Sequence, residues 1–186
     1  MTVRQQWALV GAIIAVLAAG GVAAVHFLGD EMFPVTVGGK APAFAAKPIQ
    51  TPGPTPRGSL ADYRGQVVLL NIWATYCVPC ITEMPAIEKL HRAYGPKGLK
   101  VVGVSIDAPG LEPKIRDFLR EHALTFDILY DTSRTIPEIY QTTGVPETFV
   151  IGRDGVIRKK FIGPMNWNSD ANRALVEQLL AEPEPK

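Results

Sequence analysis

The chain contains only two cysteines, Cys77 and Cys80, and just two residues separate them. Residues 67–73 are mostly apolar and rich in β-branched side chains, which predicts a buried strand before the pair. After Pro79, apolar residues recur at helical spacing and predict a helix that begins at the pair. A C-x-x-C pair at a strand-to-helix turn is typical of a redox-active dithiol.

The predicted position of Cys77 at a helix N-terminus would make it the reactive sulfur. Partial positive charge at that end of a helix stabilises a thiolate and lowers the pKa of the thiol below its ordinary value. Thiolate is the attacking species in thiol–disulfide exchange, and a second thiol nearby can resolve the mixed disulfide that forms. The sequence therefore predicts that Cys77 is the nucleophile and Cys80 the resolving cysteine.

Two structural roles for the pair compete with the redox interpretation. A disulfide between residues this close closes a very short loop, which removes little entropy from the unfolded chain. A structural zinc ion usually takes four ligands, and none of the histidines, His26, His91 and His122, is spaced as the second half of a zinc motif. Redox chemistry is the stronger hypothesis, and we expect no metal and no cofactor at the pair.

The N-terminal region predicts a membrane anchor. No charged residue lies between Arg4 and Asp30, and residues 7–28 are almost entirely Ala, Val, Leu, Ile and Gly. At about 1.5 Å per residue, a helix over this segment would cross a bilayer core of about 30 Å. The positive charge at the N-terminus then predicts that residues 1–6 are cytoplasmic and that the rest of the chain lies outside the cytoplasm.

A cleaved signal peptide is the alternative, since the small residues at 18–24 could provide a cleavage site. The apolar segment is longer than a typical secretory apolar region of about 7–15 residues, which favours an uncleaved anchor. With either interpretation, the C-terminal part of the chain lies in a compartment where disulfides persist.

The remainder of the sequence predicts one domain. Prolines in residues 29–58 prevent long helices and inner strands, so we assign 29–36 to a linker. Residues 37–181 form the predicted domain and 182–186 a disordered tail. Predicted strands and helices alternate in the domain, and an antiparallel hairpin and a last helix follow. This order predicts an α/β fold with a mixed central sheet flanked by helices.

Four segments of this domain resemble the membrane-anchored TlpA/ResA/CcmG-type thiol–disulfide oxidoreductases. The segments are 39–44, 60–68, 71–85 and 144–151. The resemblance covers residues 37–181 and implies a thioredoxin fold, a cis-proline at Pro146 that faces the dithiol, and an enzyme that keeps this dithiol reduced. By position, it also implies that partner proteins contact five residues. These are Trp73, Tyr76, Val145, Pro146 and Glu147.

The resemblance also implies a physiological role. Members of this family take electrons from a membrane electron donor of the thioredoxin-reducing type. They pass the electrons to disulfides of exported proteins, either apocytochromes c or the copper-site proteins of cytochrome oxidase. By resemblance, the chain is therefore expected to be a protein-disulfide reductase that acts in cytochrome assembly outside the cytoplasm.

Some positions depart from the family pattern or leave their role open. Tyr76 stands where the family usually has tryptophan, and Ile81 where it often has a basic residue. Asn71 replaces the buried aspartate of general thioredoxins, as in ResA-like members, and a neutral amide cannot accept a proton. Glu83 matches a glutamate implicated in thiol protonation, or is simply a first-turn acid that favours the helix dipole. Glu147 matches an acidic position of CcmG-like members, or points to solvent.

Other functions fit the sequence less well. A thioredoxin-fold peroxidase needs proline and threonine seven and three residues before its cysteine, where this chain has Leu70 and Ala74. A copper-binding assembly factor needs cysteines separated by three residues and a later histidine, but no histidine follows His122. A net charge of +1 provides no basic surface, so we expect no nucleic-acid partner.

Overall fold

The computed structural model describes residues 2–32 and 35–183, so parts of the predicted linker and tail lie outside the described residues. Its first helix, α1, runs from Val3 to Met32. The segment Arg4–Ala23 of this helix is exposed and is long and apolar enough to cross a membrane. The helix continues into the predicted linker at 29–36, since no proline interrupts the sequence before Pro34.

Residues from Val35 onward form a separate compact unit. Its described part contains six strands. They are β1 Lys47–Gln50, β2 Val67–Trp73, β3 Leu99–Ser105, β4 Asp127–Tyr130, β5 Glu147–Ile151 and β6 Ile157–Ile162. They form one sheet in the order β1-β4-β3-β2-β5-β6, in which β2, β3 and β4 are parallel and the other strands antiparallel to their neighbours. The predicted mixed sheet is confirmed.

Four α-helices of the same unit connect or follow these strands. They are α2 Val78–Tyr94, α3 Glu112–Glu121, α4 Ile136–Ile139 and α5 Asp170–Ala181. Side chains of α2, α3 and α5 belong to one apolar cluster, and Ile136 of α4 belongs to another, together with residues of the N-terminal segment. Helices therefore flank the sheet as predicted.

Strand β2 lies at the centre of the sheet and is buried along its whole length. Successive side chains of a strand point to opposite faces, so Leu69 and Trp73 face the cluster that includes α2, whereas Leu70 and Ile72 face the other cluster. Burial on both faces explains why β2 has an almost continuous apolar sequence. By the same alternation, Asn71, the polar residue of the strand, faces α2.

Candidate active site

The two cysteines lie where β2 leads into α2. Cys77 is the N-cap residue of α2, Cys80 lies in its first turn, and a disulfide joins them. The backbone N–H of Cys80 lies 3.2 Å from the Cys77 sulfur and points to it as a hydrogen-bond donor. Cys80 has no exposed surface, whereas Cys77 retains 6%. Of the two cysteines, only Cys77 therefore keeps surface that a partner can reach.

The helix N-terminus at Cys77 follows from the local sequence. Pro79 lies in the first turn of α2, where its missing N–H costs no hydrogen bond and its fixed φ suits a helix. The free N–H groups of that turn carry partial positive charge toward the Cys77 sulfur. In the reduced state this charge favours the thiolate, because a negative sulfur at a helix N-terminus is stabilised.

A loop with a cis-proline lies against the dithiol. The Val145–Pro146 peptide bond is cis, as the resemblance implied. The carbonyl oxygen of Val145 is 3.5 Å from the Cys77 sulfur, and the Val145 side chain is half-buried. Tyr76, next to Cys77 in the chain, is 61% exposed. Tyr76 and Val145 therefore border the accessible sulfur with surface that a partner protein can reach.

Three of the residues expected to contact partners are buried, namely Trp73, Pro146 and Glu147, and we correct the assignment of the two that have no exposed surface. Trp73 has no exposed surface, since it ends the central strand and its ring packs 4.8 Å from that of Phe118, centroid to centroid. Glu147 also has no exposed surface, so the expectation that it points to solvent is wrong. A side chain without exposed surface cannot touch a docked protein, so neither Trp73 nor Glu147 can contact a partner directly.

Glu83 is buried on α2, one turn after Cys80. Its carboxylate oxygens accept hydrogen bonds from Asn71 Nδ2 at 2.7 Å and from the Met165 N–H at 2.9 Å. The Trp167 indole N–H also approaches the carboxylate, but outside hydrogen-bond geometry. Burial raises the pKa of Glu83 above its ordinary value, and the two hydrogen bonds offset this effect only in part.

The helix-dipole alternative for Glu83 is wrong. Helix α2 begins at Val78, directly after Cys77, and its first turn contains no acidic residue. Glu83 therefore lies in the second turn, beyond the reach of the free N–H groups at the helix end. The burial of Glu83 and its two hydrogen bonds therefore reflect its contacts with the rest of the fold and not the helix dipole.

Asn71 connects Glu83 to β5. Its Nδ2 also donates a hydrogen bond to Thr148 Oγ1 at 2.9 Å, and its Oδ1 is buried without a hydrogen-bond partner. All three side chains of this network are buried, so solvent does not screen them. Since an amide and a hydroxyl do not titrate in the physiological range, Glu83 is the member of the network that can take up or release a proton.

Asp107 is a supporting residue that the sequence analysis missed. Its fully buried carboxylate accepts hydrogen bonds from the Thr75 N–H at 3.0 Å, the Thr75 hydroxyl at 2.6 Å and the Ser105 hydroxyl at 2.7 Å. Thr75 lies two residues before Cys77, so Asp107 fixes the segment that carries the dithiol. The sequence signal that could have identified Asp107 is its position just after a buried parallel strand, because binding sites of α/β sheets usually form at the carboxyl ends of the strands.

We expect Asp107→Ala to lower the free energy of unfolding by about 1–3 kcal/mol, because buried donors on Thr75 and Ser105 lose their acceptor. Urea denaturation of the oxidised protein measures this change. Asp117→Ala is the matched control, since Asp117 is an exposed aspartate of α3 whose ion pair with Arg120 contributes little. Equal midpoints for the two variants would contradict a supporting role for Asp107.

Comparisons with known proteins extend over most of the chain. The AhpC/TSA family model matches residues 37–160. The thiol–disulfide oxidoreductase ResA of Oceanobacillus iheyensis is 33% identical over 157 residues, which cover 84% of this chain and 81% of that protein. The thioredoxin-like protein YneN of Bacillus subtilis is 40% identical over 129 residues, or 69% and 72% of the two chains.

A solved structure gives the same result. The crystal structure of a candidate thiol:disulfide interchange protein DsbE from Chlorobium tepidum superposes with a TM-score of 0.64 and 30% identity, over 78% of this chain and 96% of that one. The similarity thus extends well beyond the cysteine pair, through the sheet and helices that position it. The chain belongs to the AhpC/TSA family and, within it, to the TlpA/ResA/CcmG-type thioredoxin-like thiol–disulfide oxidoreductases.

Proposed function

We propose that this oxidoreductase reduces disulfides of exported proteins outside the cytoplasm. The observation that best supports this proposal is the surface around the one accessible sulfur. Tyr76 and Val78, on either side of Cys77, are 61% and 71% exposed. Large apolar side chains left in contact with water next to a reactive group are typical of a surface that docks another protein. A small disulfide would need no such surface.

The proposed reaction is a two-step disulfide exchange. The Cys77 thiolate attacks one sulfur of the partner's disulfide, so that bond breaks, a Cys77–partner disulfide forms, and the partner's other sulfur leaves as a thiolate that takes up a proton. Cys80 then loses its proton and attacks the Cys77 sulfur. This step forms the Cys77–Cys80 disulfide, releases the partner as a dithiol, and transfers two electrons in total.

Several groups of the site assist these steps in the proposal. The Cys80 N–H and the end of α2 stabilise the Cys77 thiolate, both before the attack and when it leaves. Glu83, buried one turn beyond Cys80 with a raised pKa, exchanges a proton with the dithiol as its charge changes. A membrane electron donor of the thioredoxin-reducing type then returns the disulfide to the dithiol.

The proposed location rests on α1. Its apolar segment Arg4–Ala23 suits a single-pass anchor. We propose that residues 1–6 are cytoplasmic and that the catalytic domain, which we place at 37–181, lies on the other side of the membrane. An uncleaved anchor would keep the enzyme close to a membrane electron donor.

We expect the protein to stay in the membrane fraction after extraction with alkaline carbonate, because an apolar helix of this length inserts into the bilayer. Immunoblots of the pellet and wash, with N-terminal sequencing of the mature protein, measure this. A peripheral membrane protein, which carbonate releases, serves as the control. Release into the wash, or a mature N-terminus near residue 25, would show that the segment is a cleaved signal peptide.

For the substrate, we propose apocytochromes c or the copper-site proteins of cytochrome oxidase. The reduced protein should convert a peptide with an oxidised C-x-x-C-H haem-attachment motif to its dithiol, one peptide per enzyme dithiol. Reduction of a small aromatic disulfide without reduction of this peptide would argue against the cytochrome substrate. Genes for cytochrome c assembly or for oxidase copper assembly next to this one would separate the two proposed substrates.

A further inference from the structure

A partly buried ion pair lies on the opposite face of the sheet from Glu83. Glu147, the first residue of β5, has no exposed surface, and Lys160 Nζ on β6 is 2.7 Å from its Oε1. The two groups pair opposite charges, although the angle between them falls outside hydrogen-bond geometry. The Lys160 side chain is only 21% exposed, and its ammonium lies 5.3 Å from the centre of the Phe149 ring.

The second carboxylate oxygen of Glu147 holds the loop that carries the cis-proline. Its Oε2 accepts a hydrogen bond from the Thr143 N–H at 3.1 Å. At the other end of the loop, the Pro146 carbonyl accepts one from the Gly163 N–H at 2.9 Å. These two bonds fix residues 143–146, including the Val145 carbonyl that lies 3.5 Å from the Cys77 sulfur.

The energetics of burying charged groups favour a positioning role for this pair over a stabilising one. Replacing a buried ion pair by apolar residues of similar volume is often neutral or stabilising, so burial of two charges is weak evidence for a stabilising role. Removing only one partner is strongly unfavourable, because the remaining charge is left uncompensated in the interior. A negatively charged Glu147 therefore requires the positive charge of Lys160. The Glu147 carboxylate in turn gives the loop a hydrogen-bond acceptor at a fixed position.

We propose that Glu147 and Lys160 are positioning residues for disulfide exchange, an inference that rests on the proposed role of Cys77. Lys160 keeps the Glu147 carboxylate in place beneath the loop. The carboxylate binds the Thr143 N–H and so holds the Val145–Pro146 backbone next to the Cys77 sulfur, which a docked partner must reach. Because the two charges cancel, the anchor adds no net negative charge beside a Cys77 thiolate.

Two uncharged double variants isolate the anchor. Glu147→Gln with Lys160→Met keeps an oxygen that can accept the Thr143 N–H, whereas Glu147→Leu with Lys160→Met removes it. We expect the Gln–Met variant to reduce a disulfide-containing protein such as insulin with a kcat/KM within about threefold of the wild type. We expect the kcat/KM of the Leu–Met variant on insulin to fall by about tenfold, since a small misplacement of the loop slows the reaction strongly.

The same variants are compared on a small aromatic disulfide, which needs no docking loop. Both double variants should react with it at the wild-type rate. Lys160→Met alone should lower kcat/KM on insulin by about tenfold, because it leaves a buried carboxylate without a counter-charge. Lys160→Arg keeps the positive charge and should retain the wild-type activity. Lys159→Met is the matched control, since the exposed Lys159 neighbours Lys160 on β6 and carries the same charge; it should behave as the wild type.

Equal activity of the two double variants on insulin would overturn the positioning role. An equal loss on insulin and on the small disulfide would also overturn it, since that pattern indicates general damage to the site. Failure of the proposed function would give a different result. In that case Cys77→Ser would still reduce both substrates, whatever the activities of the Glu147 and Lys160 variants.

Discussion

Cys80→Ser is expected to accumulate covalent complexes with partner proteins, whereas Cys77→Ser is expected to lose both capture and turnover. In the first variant, the Cys77 thiolate still attacks the partner, but no second thiol is present to release the mixed disulfide. In the second variant, the remaining sulfur belongs to Cys80, which has no exposed surface and lies inside the first turn of α2. The expected effect is all-or-none for capture.

Membranes from cells that express each variant, treated with a thiol-alkylating reagent and separated on non-reducing gels, provide the measurement. Complexes in the Cys80→Ser sample should disappear on reduction. The variant with both cysteines replaced is the control for non-covalent association. Capture by Cys77→Ser would reverse the assignment of nucleophile and resolving cysteine.

Glu83→Gln is expected to move the pH profile of thiol alkylation to lower pH by about one unit, a tenfold change in thiolate at a given pH. An ionised carboxylate one turn from Cys80 opposes formation of a second negative charge, and the amide removes that opposition. The two thiols should titrate as a coupled pair, so the shift belongs to the pair rather than to either sulfur.

The substitution should leave the fold intact. The amide oxygen can accept the Met165 N–H as the carboxylate does. Asn71 can turn its amide so that Oδ1, unpartnered in this structure, accepts from the new amide nitrogen and from the Thr148 hydroxyl. Glu121→Gln, which changes an exposed glutamate at the end of α3, is the control. A profile identical to the wild type from about pH 5 to 9 would limit Glu83 to holding Met165.

The raised pKa of Glu83 also gives the pH dependence of stability a definite sign. A group with a higher pKa in the folded state binds its proton more tightly when the chain is folded. The stability it contributes is fully present below the unfolded-state pKa and is lost as the pH rises through the folded-state pKa. The free energy of unfolding of the wild type should therefore fall relative to that of Glu83→Gln over this range, as urea denaturation at several pH values can measure.

Local signals in the sequence account for much of the fold and for the position of the dithiol. The apolar run at 67–73 forms the central strand, and the mixed sheet follows from the predicted order of elements. The cis peptide bond at Pro146 could be expected because it followed from a resemblance that extends well beyond the cysteines. These features depend on short stretches of chain or on a long, specific match.

Other features depend on contacts between distant residues, and the sequence pattern does not contain them. Alternation along β5 shows which side chains share a face with Glu147, but not that Lys160 covers it from the next strand. The contact of Asp107 with Thr75 joins two strand ends that meet only in the folded sheet. Glu83 lies in the second turn of α2, and its hydrogen bonds with Asn71 and Met165 join segments that are distant in the sequence.

The most direct test of the account is to ask which sulfur of the fully reduced, folded protein reacts first. A limiting amount of iodoacetamide at neutral pH, followed by mass spectrometry of the peptides, measures the label on each cysteine. We predict at least about tenfold more label on Cys77 than on Cys80, because only Cys77 combines access with a helix N-terminus. The same protein unfolded in urea should label both equally. Equal labelling in the folded protein, or preference for Cys80, would contradict the central claim.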